Sequence, residues 1–281
     1  MTAPVPLPPI PPDPALQADT ALAEALVPAM LAAGEAILAA RAAGNAVELK
    51  ADASPVTAAD RASEAILLAA LRRLAPDIPV IAEEEAAAGR IPRVGHAFFL
   101  VDPLDGTKDY IRGGPDFTVN IGLVRDGRAV MGLVLAPADS RLWLGTVGGG
   151  ALAVETASGR RRPIRVRKPP ERLGIVASRS HRTPETDAFI ARFEGAEVVA
   201  AGSSQKLCAL ADGRADLYPR LGDTWQWDTA AGDAVLAAAG GRVLALDGAP
   251  LAYGPRNGVG EGKAWLNPWF VATAGIDPFA K

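Results

Sequence analysis

A chain of 281 residues, 49% hydrophobic and 22% charged, is long enough for one large globular unit or two smaller packed ones, and its composition excludes general disorder. A formal net charge of -3 provides no basic field of the kind that holds a nucleic-acid polymer, so any anionic ligand must be gripped locally. The single cysteine, Cys208, excludes an internal disulfide framework and fits a reducing, cytoplasmic compartment.

The chain opens with MTAPVPLPPIPPDP, whose prolines predict an extended, disordered arm over residues 1–18. No Lys or Arg precedes Arg41, so the charged start of a secretory leader is missing. Residues 20–43 are Ala-rich and read as a helix kinked at Pro28; Glu24, Pro28 and Glu35 are wrong for a membrane span. Loose attachment to the inner face of a membrane stays open. A second helix is expected from about Ala58 to just before Pro76. Thr57-x-x-Asp60 has the form of a capping box there, and Ile66, Leu67, Leu71 and Leu74 recur at helical spacing.

Two strands follow, over residues 79–82 and 97–101, and both run into carboxylates. Residues 117–124 and 129–135 flank Asp126-Gly127 as a hairpin, and residues 141–147 read as the next strand of an antiparallel meander. Residues 159–170 concentrate Arg, Lys and Pro between apolar regions and are expected to be a linker. Beyond them, strands near 173–177 and 197–200 alternate with helices near 183–193, 204–211 and 228–239, the pattern of an α/β half. Cys208 falls on the apolar face of one of these helices and reads as a packed thiol, not a nucleophile.

The chemistry concentrates in FFLVDPLDGTKDY, residues 98–110. Asp102 and Asp105 bracket a Pro-Leu turn that can aim both side chains at one point, and converging carboxylates repel unless a cation lies between them. Hard oxygen ligands with room for water suit Mg²⁺. Gly106 and Thr107 then present backbone amides where a helix can begin, a setting suited to an anion. A lone DxxD is more often a surface turn. Its company changes that balance: Glu83-Glu84 at a strand end, Asp60 at a helix start and Trp227-Asp228 leading into another helix.

Four segments, SPVTAAD (54–60), IAEE (81–84), DPLDGT (102–107) and WDTAAG (227–232), stand in the order of a known group. On them the chain resembles the Mg²⁺-dependent, lithium-sensitive inositol monophosphatase superfamily. Lys108 after Asp105-Gly-Thr, FTVN (117–120), SRSH (178–181), GSSQK (202–206) and YPR (218–220) bring it nearest to the bacterial 3'(2'),5'-bisphosphate nucleotidases of sulfate assimilation. That resemblance implies a layered αβαβα sugar-phosphatase fold, with an α+β half over 19–165 and an α/β half over 166–281.

It also implies two Mg²⁺ ions, with a third, weaker position left open. Glu83, Asp102 and the Leu104 carbonyl would hold one ion, and Asp102, Asp105 and Asp228 the other. Thr107, aided by Glu83 and Asp60, would orient the attacking water. Gly106, Thr107, Lys108, Arg179, His181, Ser203, Ser204, Lys206, Arg220 and Asp228 would contact the substrate, a small nucleotide. The expected reaction is removal of the 3'-phosphate of adenosine 3',5'-bisphosphate, or of its phosphosulfate analogue. Inositol phosphate or fructose bisphosphate hydrolysis and a non-catalytic nucleotide sensor are the alternatives, and a homodimer stays open. The chain departs from common forms at Ala82, often Ser, and at Asp233, where some nucleotidases have His.

Overall fold

The computed structural model describes residues 13–44, 47–49, 55–179, 182–258 and 262–280. Helix α1 (Pro14–Ala42) starts earlier than expected, because Asp13 accepts from the Ala15 N–H at 2.9 Å and Pro14 suits the first helical position. Residues 14–18 are therefore helical and not part of an arm; residues 1–12 lie outside the described residues. The helix runs on through Pro28, which is exposed, so the hydrogen bond it removes is lost on the solvent side. Length and apolar character alone would let α1 cross a membrane, contrary to the sequence reading. In the fold, Leu26, Met30, Ala33 and Ile37 are fully buried in a core, and Asp19 binds Arg125 at 2.7 Å.

A short ribbon of β1 (Val47–Leu49) and β2 (Pro55–Thr57) leads into α2 (Ala58–Leu74), whose capping box forms as its sequence predicts. A seven-stranded sheet follows: β3 (Val80–Ala82), β4 (Ala97–Asp105), β5 (Thr118–Arg125), β6 (Arg128–Ala136), β7 (Arg141–Thr146), β8 (Gly150–Glu155) and β9 (Arg160–Ile164), in that spatial order. Two five-residue helices, α3 (Glu83–Ala87) and α4 (Thr107–Ile111), follow β3 and β4. The Asp126-Gly127 turn joins β5 to β6 with φ of 46° and 75°, the positive values such a turn requires.

Strand β9 takes up residues 160–164 of the expected linker, and residues 165–170 carry no helix or strand. Its arginines and Pro163 belong to a sheet edge, where charge and a missing N–H are tolerated, and Arg161 forks onto Glu24 of α1 at 2.7 Å.

The remaining elements are β10 (Gly174–Ser178), α5 (Pro184–Ile190), β11 (Glu197–Ala201), α6 (Gln205–Ala211), β12 (Leu217–Arg220), α7 (Ala230–Ala238), β13 (Arg242–Ala245) and β14 (Phe270–Thr273). Their strands form a five-stranded sheet in the order β11-β10-β12-β14-β13, parallel at one end and antiparallel at the other. Strands β12 to β14, four residues each, carry no clear alternation in their sequence.

The layers run α1 and α2, first sheet, α6 and α7, second sheet, α5. Helix α7 lies so close to the first sheet that a Cβ on Gly132 would sit 2.0 Å from the Ala231 carbonyl oxygen. One core joins both sheets through α6 and α7, with Cys208 buried in it.

Candidate active site

Parallel pairing of β3 with β4 matches Ala82 to Val101, so Glu83 and Asp102 leave the sheet as neighbours. Strand β4 does not stop at Val101 but continues with a register shift between Asp102 and Asp105. That irregularity re-aims the two carboxylates, as bulges beside functional sites do. The Leu104 N–H donates to Asp102 Oδ1 at 3.0 Å. Gly106 then turns the chain with φ of 94°, and a Cβ there would meet the Asp116 carbonyl oxygen at 2.5 Å. Helix α4 starts at once with Thr107.

Asp60 is buried in the first turn of α2. Its Oδ2 accepts from the backbone N–H and the hydroxyl of Thr57, each at 2.7 Å. The Thr107 hydroxyl lies 3.0 Å from the Leu104 carbonyl oxygen and 3.4 Å from Asp60 Oδ1. From the other half, a turn at Gln226–Asp228 presents Asp228, with the Trp225 N–H donating to its Oδ2 at 3.0 Å. Trp225 and Trp227 stack at 5.1 Å between centroids and stiffen this turn.

Ser204 ties the halves together. Its hydroxyl stands 2.9 Å from Asp105 Oδ2 and 2.6 Å from the Asp228 carbonyl oxygen, and it accepts from Asn120 Nδ2 at 2.9 Å. Asn120 closes the FTVN stretch, and its role as a donor to Ser204 comes only from the fold, which brings β5 beside the residue that precedes α6.

These groups wall a cleft of about 200 Å³. Glu83, Asp105, Gly106, Thr107 and Lys108 line one side, and Ser203, Ser204, Lys206, Arg220 and Asp228 the other. Asp60, Asp102 and Leu104 are buried behind that wall. Lys206 donates to the Ser203 carbonyl at 2.5 Å and sits over the Tyr218 ring. Arg220 is also buried and binds the Asp223 carbonyl.

Arg179 stands at the cleft rim. It is exposed and engaged by Asp116 at 2.6 Å and Asp109 at 3.3 Å, and Ser178 rather than Arg179 lines the cleft. Asp116 also accepts from the Gly202 N–H at 2.9 Å, so these acids clasp the cleft rim. Neither was identified from the sequence. His181 lies outside the described residues.

Burial, and then the charges of Glu83, Asp105 and Asp228, pushes the Asp102 carboxyl well above its ordinary range. Asp228 is raised likewise by burial, then by Asp105 and Glu83. Burial lowers Lys206 to about 8 against the pull of Asp105. Among the described residues no group of three or more His, Cys, Asp or Glu side chains is drawn tight enough to form a ready metal cage. The donor set nevertheless fits a hard cation. Asp102, Asp105 and Asp228 each give one oxygen to a protein donor, and the other has no hydrogen bond among the described residues. The four carboxylates repel one another across a site that a divalent cation would neutralise.

Residues 19–274 match the model of the inositol monophosphatase family. The chain belongs to that family. Inositol monophosphatase family members are metal-dependent phosphatases. Among curated relatives, the 3'(2'),5'-bisphosphate nucleotidase CysQ of Shigella flexneri is 43% identical over 223 residues, 79% of this chain and 86% of that protein. CysQ of Buchnera aphidicola is 36% identical over 81% of this chain and 83% of its own length. Among solved structures, CysQ from Bacteroides thetaiotaomicron superposes with a TM-score of 0.74 at 34% identity, covering 91% of this chain and 97% of that one. An inositol monophosphatase from Anabaena gives a TM-score of 0.68 at 28% identity, with 91% of each chain covered. The αβαβα layering is thus that of the family.

Proposed function

We propose that this chain is a Mg²⁺-dependent phosphatase that removes the 3'-phosphate of adenosine 3',5'-bisphosphate, giving AMP and phosphate, and that it accepts the 3'-phosphoadenylyl sulfate analogue. The observation that carries the reading is the cleft itself, in a chain so similar to named nucleotidases. The carboxylates of Glu83, Asp105 and Asp228 that line it suit cations, and the buried Lys206 and Arg220 in the same lining suit a second phosphate that an inositol monophosphate lacks.

Glu83, Asp102, Asp105, Asp228 and the Leu104 carbonyl would hold two Mg²⁺ ions. When bound, these supply Lewis-acid stabilisation of the attacking and leaving oxygens of an in-line displacement. The chain's own groups do the rest. The Thr107 hydroxyl, beside the Leu104 carbonyl and Asp60, orients the water that attacks phosphorus. Gly106 and Thr107 amides, where α4 begins, receive the phosphate being removed. The bond from phosphorus to the 3' oxygen breaks as the new P–O bond forms, so no enzyme-bound phosphate is needed. Lys206 and Arg220, with Ser203, hold the rest of the nucleotide.

The test is phosphate release from adenosine 3',5'-bisphosphate, inositol 1-phosphate and fructose 1,6-bisphosphate, each with Mg²⁺ and with chelator. A chelator-sensitive preference for the nucleotide is expected. Preference for a sugar phosphate would overturn the substrate, and no release from any would overturn the enzyme.

A further inference from the structure

Helix α3 begins with the ligand Glu83, yet it is five residues long, far too short to hold its direction alone. Its N-cap, Ala82, has the extended dihedrals of a cap residue (φ -114°, ψ 147°) but no side-chain oxygen to accept an N–H of the first turn. The missing acceptor comes from another element. Glu64 of α2, only 5% exposed, accepts from the Glu84 N–H at 2.9 Å through Oε2. A carboxyl buried beside Glu83, Glu84 and Glu85 is costly, and this bond is the compensation visible for it. One residue earlier, the Ser63 hydroxyl donates to the Pro103 carbonyl at 2.8 Å, so the same turn of α2 also braces the DPLD segment.

We propose that Glu64 is a positioning residue for the metal site: it serves as the N-cap that Ala82 cannot be, and so fixes where α3 presents Glu83. This rests on the reading of Glu83 as a metal ligand given above. The structural consequence is specific. The acceptor oxygen matters, not the charge, so an amide at residue 64 should serve and a methyl should not. A serine at residue 82 could accept the same N–H from within the chain.

The experiment compares wild type with Glu64→Gln, Glu64→Ala and Glu64→Ala/Ala82→Ser. Two readouts are taken: the Mg²⁺ concentration at half-maximal phosphate release, and the midpoint of the Mg²⁺-induced rise in melting temperature, which needs no turnover. Glu64→Ala should raise both midpoints about tenfold, the lower end for loss of an outer support of a ligand, with kcat at saturating Mg²⁺ changed far less. Glu64→Gln should stay within about twofold of wild type, and the double variant should move back toward it. Unchanged midpoints in Glu64→Ala, or a Glu64→Gln as impaired as Glu64→Ala, would overturn the capping role while leaving the metal site standing. A wild-type protein whose melting temperature ignores Mg²⁺ would overturn the metal reading, and this proposal with it.

Discussion

Asp105 meets Ser204 through one oxygen, and that bond does not need a charge. Asp105→Asn keeps an acceptor for the Ser204 hydroxyl and removes one unit of negative charge from the carboxylate cluster proposed to hold Mg²⁺. The variant should therefore fold with a near-normal melting temperature but lose turnover by at least about a hundredfold, since metal clamping supplies several kcal/mol. Near-normal phosphate release by the folded variant would sink the ligand assignment.

Asp233 is a different kind of acid. It sits on α7, where the Tyr253 hydroxyl donates to it at 2.9 Å and Arg128 of β6 attracts it weakly, while burial dominates and pushes its pKa to about 7. The folded chain thus holds a proton there that the unfolded chain, near 3.8, has released. Stability from this group is complete below about pH 4 and is lost as pH rises through about 7. Asp233→Asn accepts the Tyr253 bond without titrating. Denaturant unfolding from pH 5 to 8 should show it gaining on wild type as pH rises, by about 1.4 kcal/mol per unit of the raised pKa at most. A constant difference across that range would show that Asp233 does not titrate there.

At the scale of elements, the cleft depends on how closely α7 approaches the first sheet. Gly122 and Gly132 allow this, since a Cβ on either would meet the backbone of Ala230 or Ala231 at 2.8 Å or less. Asp228 lies in the turn that enters this helix, so a displaced α7 carries that carboxylate with it. Gly132→Ala should cost about 1–3 kcal/mol, the usual range for overpacking. It should also weaken catalysis, although residue 132 touches no part of the cleft. A stable variant with wild-type kcat would show that the helix can shift without moving Asp228.

Across the whole molecule, what was legible in the sequence is what neighbouring residues decide. Thr57 and Asp60 form their capping box three residues apart, Asp126-Gly127 closes its hairpin, and Asp102 and Asp105 end up at one strand end. What stayed hidden is decided at a distance. Arg179 is claimed by Asp109, 70 residues away, and Ser204 is held by Asn120, 84 residues away; neither spacing has a local signature. Strand β9 looked like a linker because an edge tolerates the same residues as a loop. The carboxylate site is likewise a property of the whole fold, since Glu83, Asp102 and Asp105 come from the first sheet's margin and Asp228 from the turn before α7. Bringing them together costs electrostatic energy that a cation returns only when both halves are in place. Mg²⁺ should therefore bind the folded chain and not the unfolded one, and raise the melting temperature saturably. At a hundred times its dissociation constant the gain is about 2.7 kcal/mol for one site. The same titration on Asp105→Asn should give a smaller gain at higher Mg²⁺, whereas equal curves for the two proteins would place the bound ion somewhere other than this cleft.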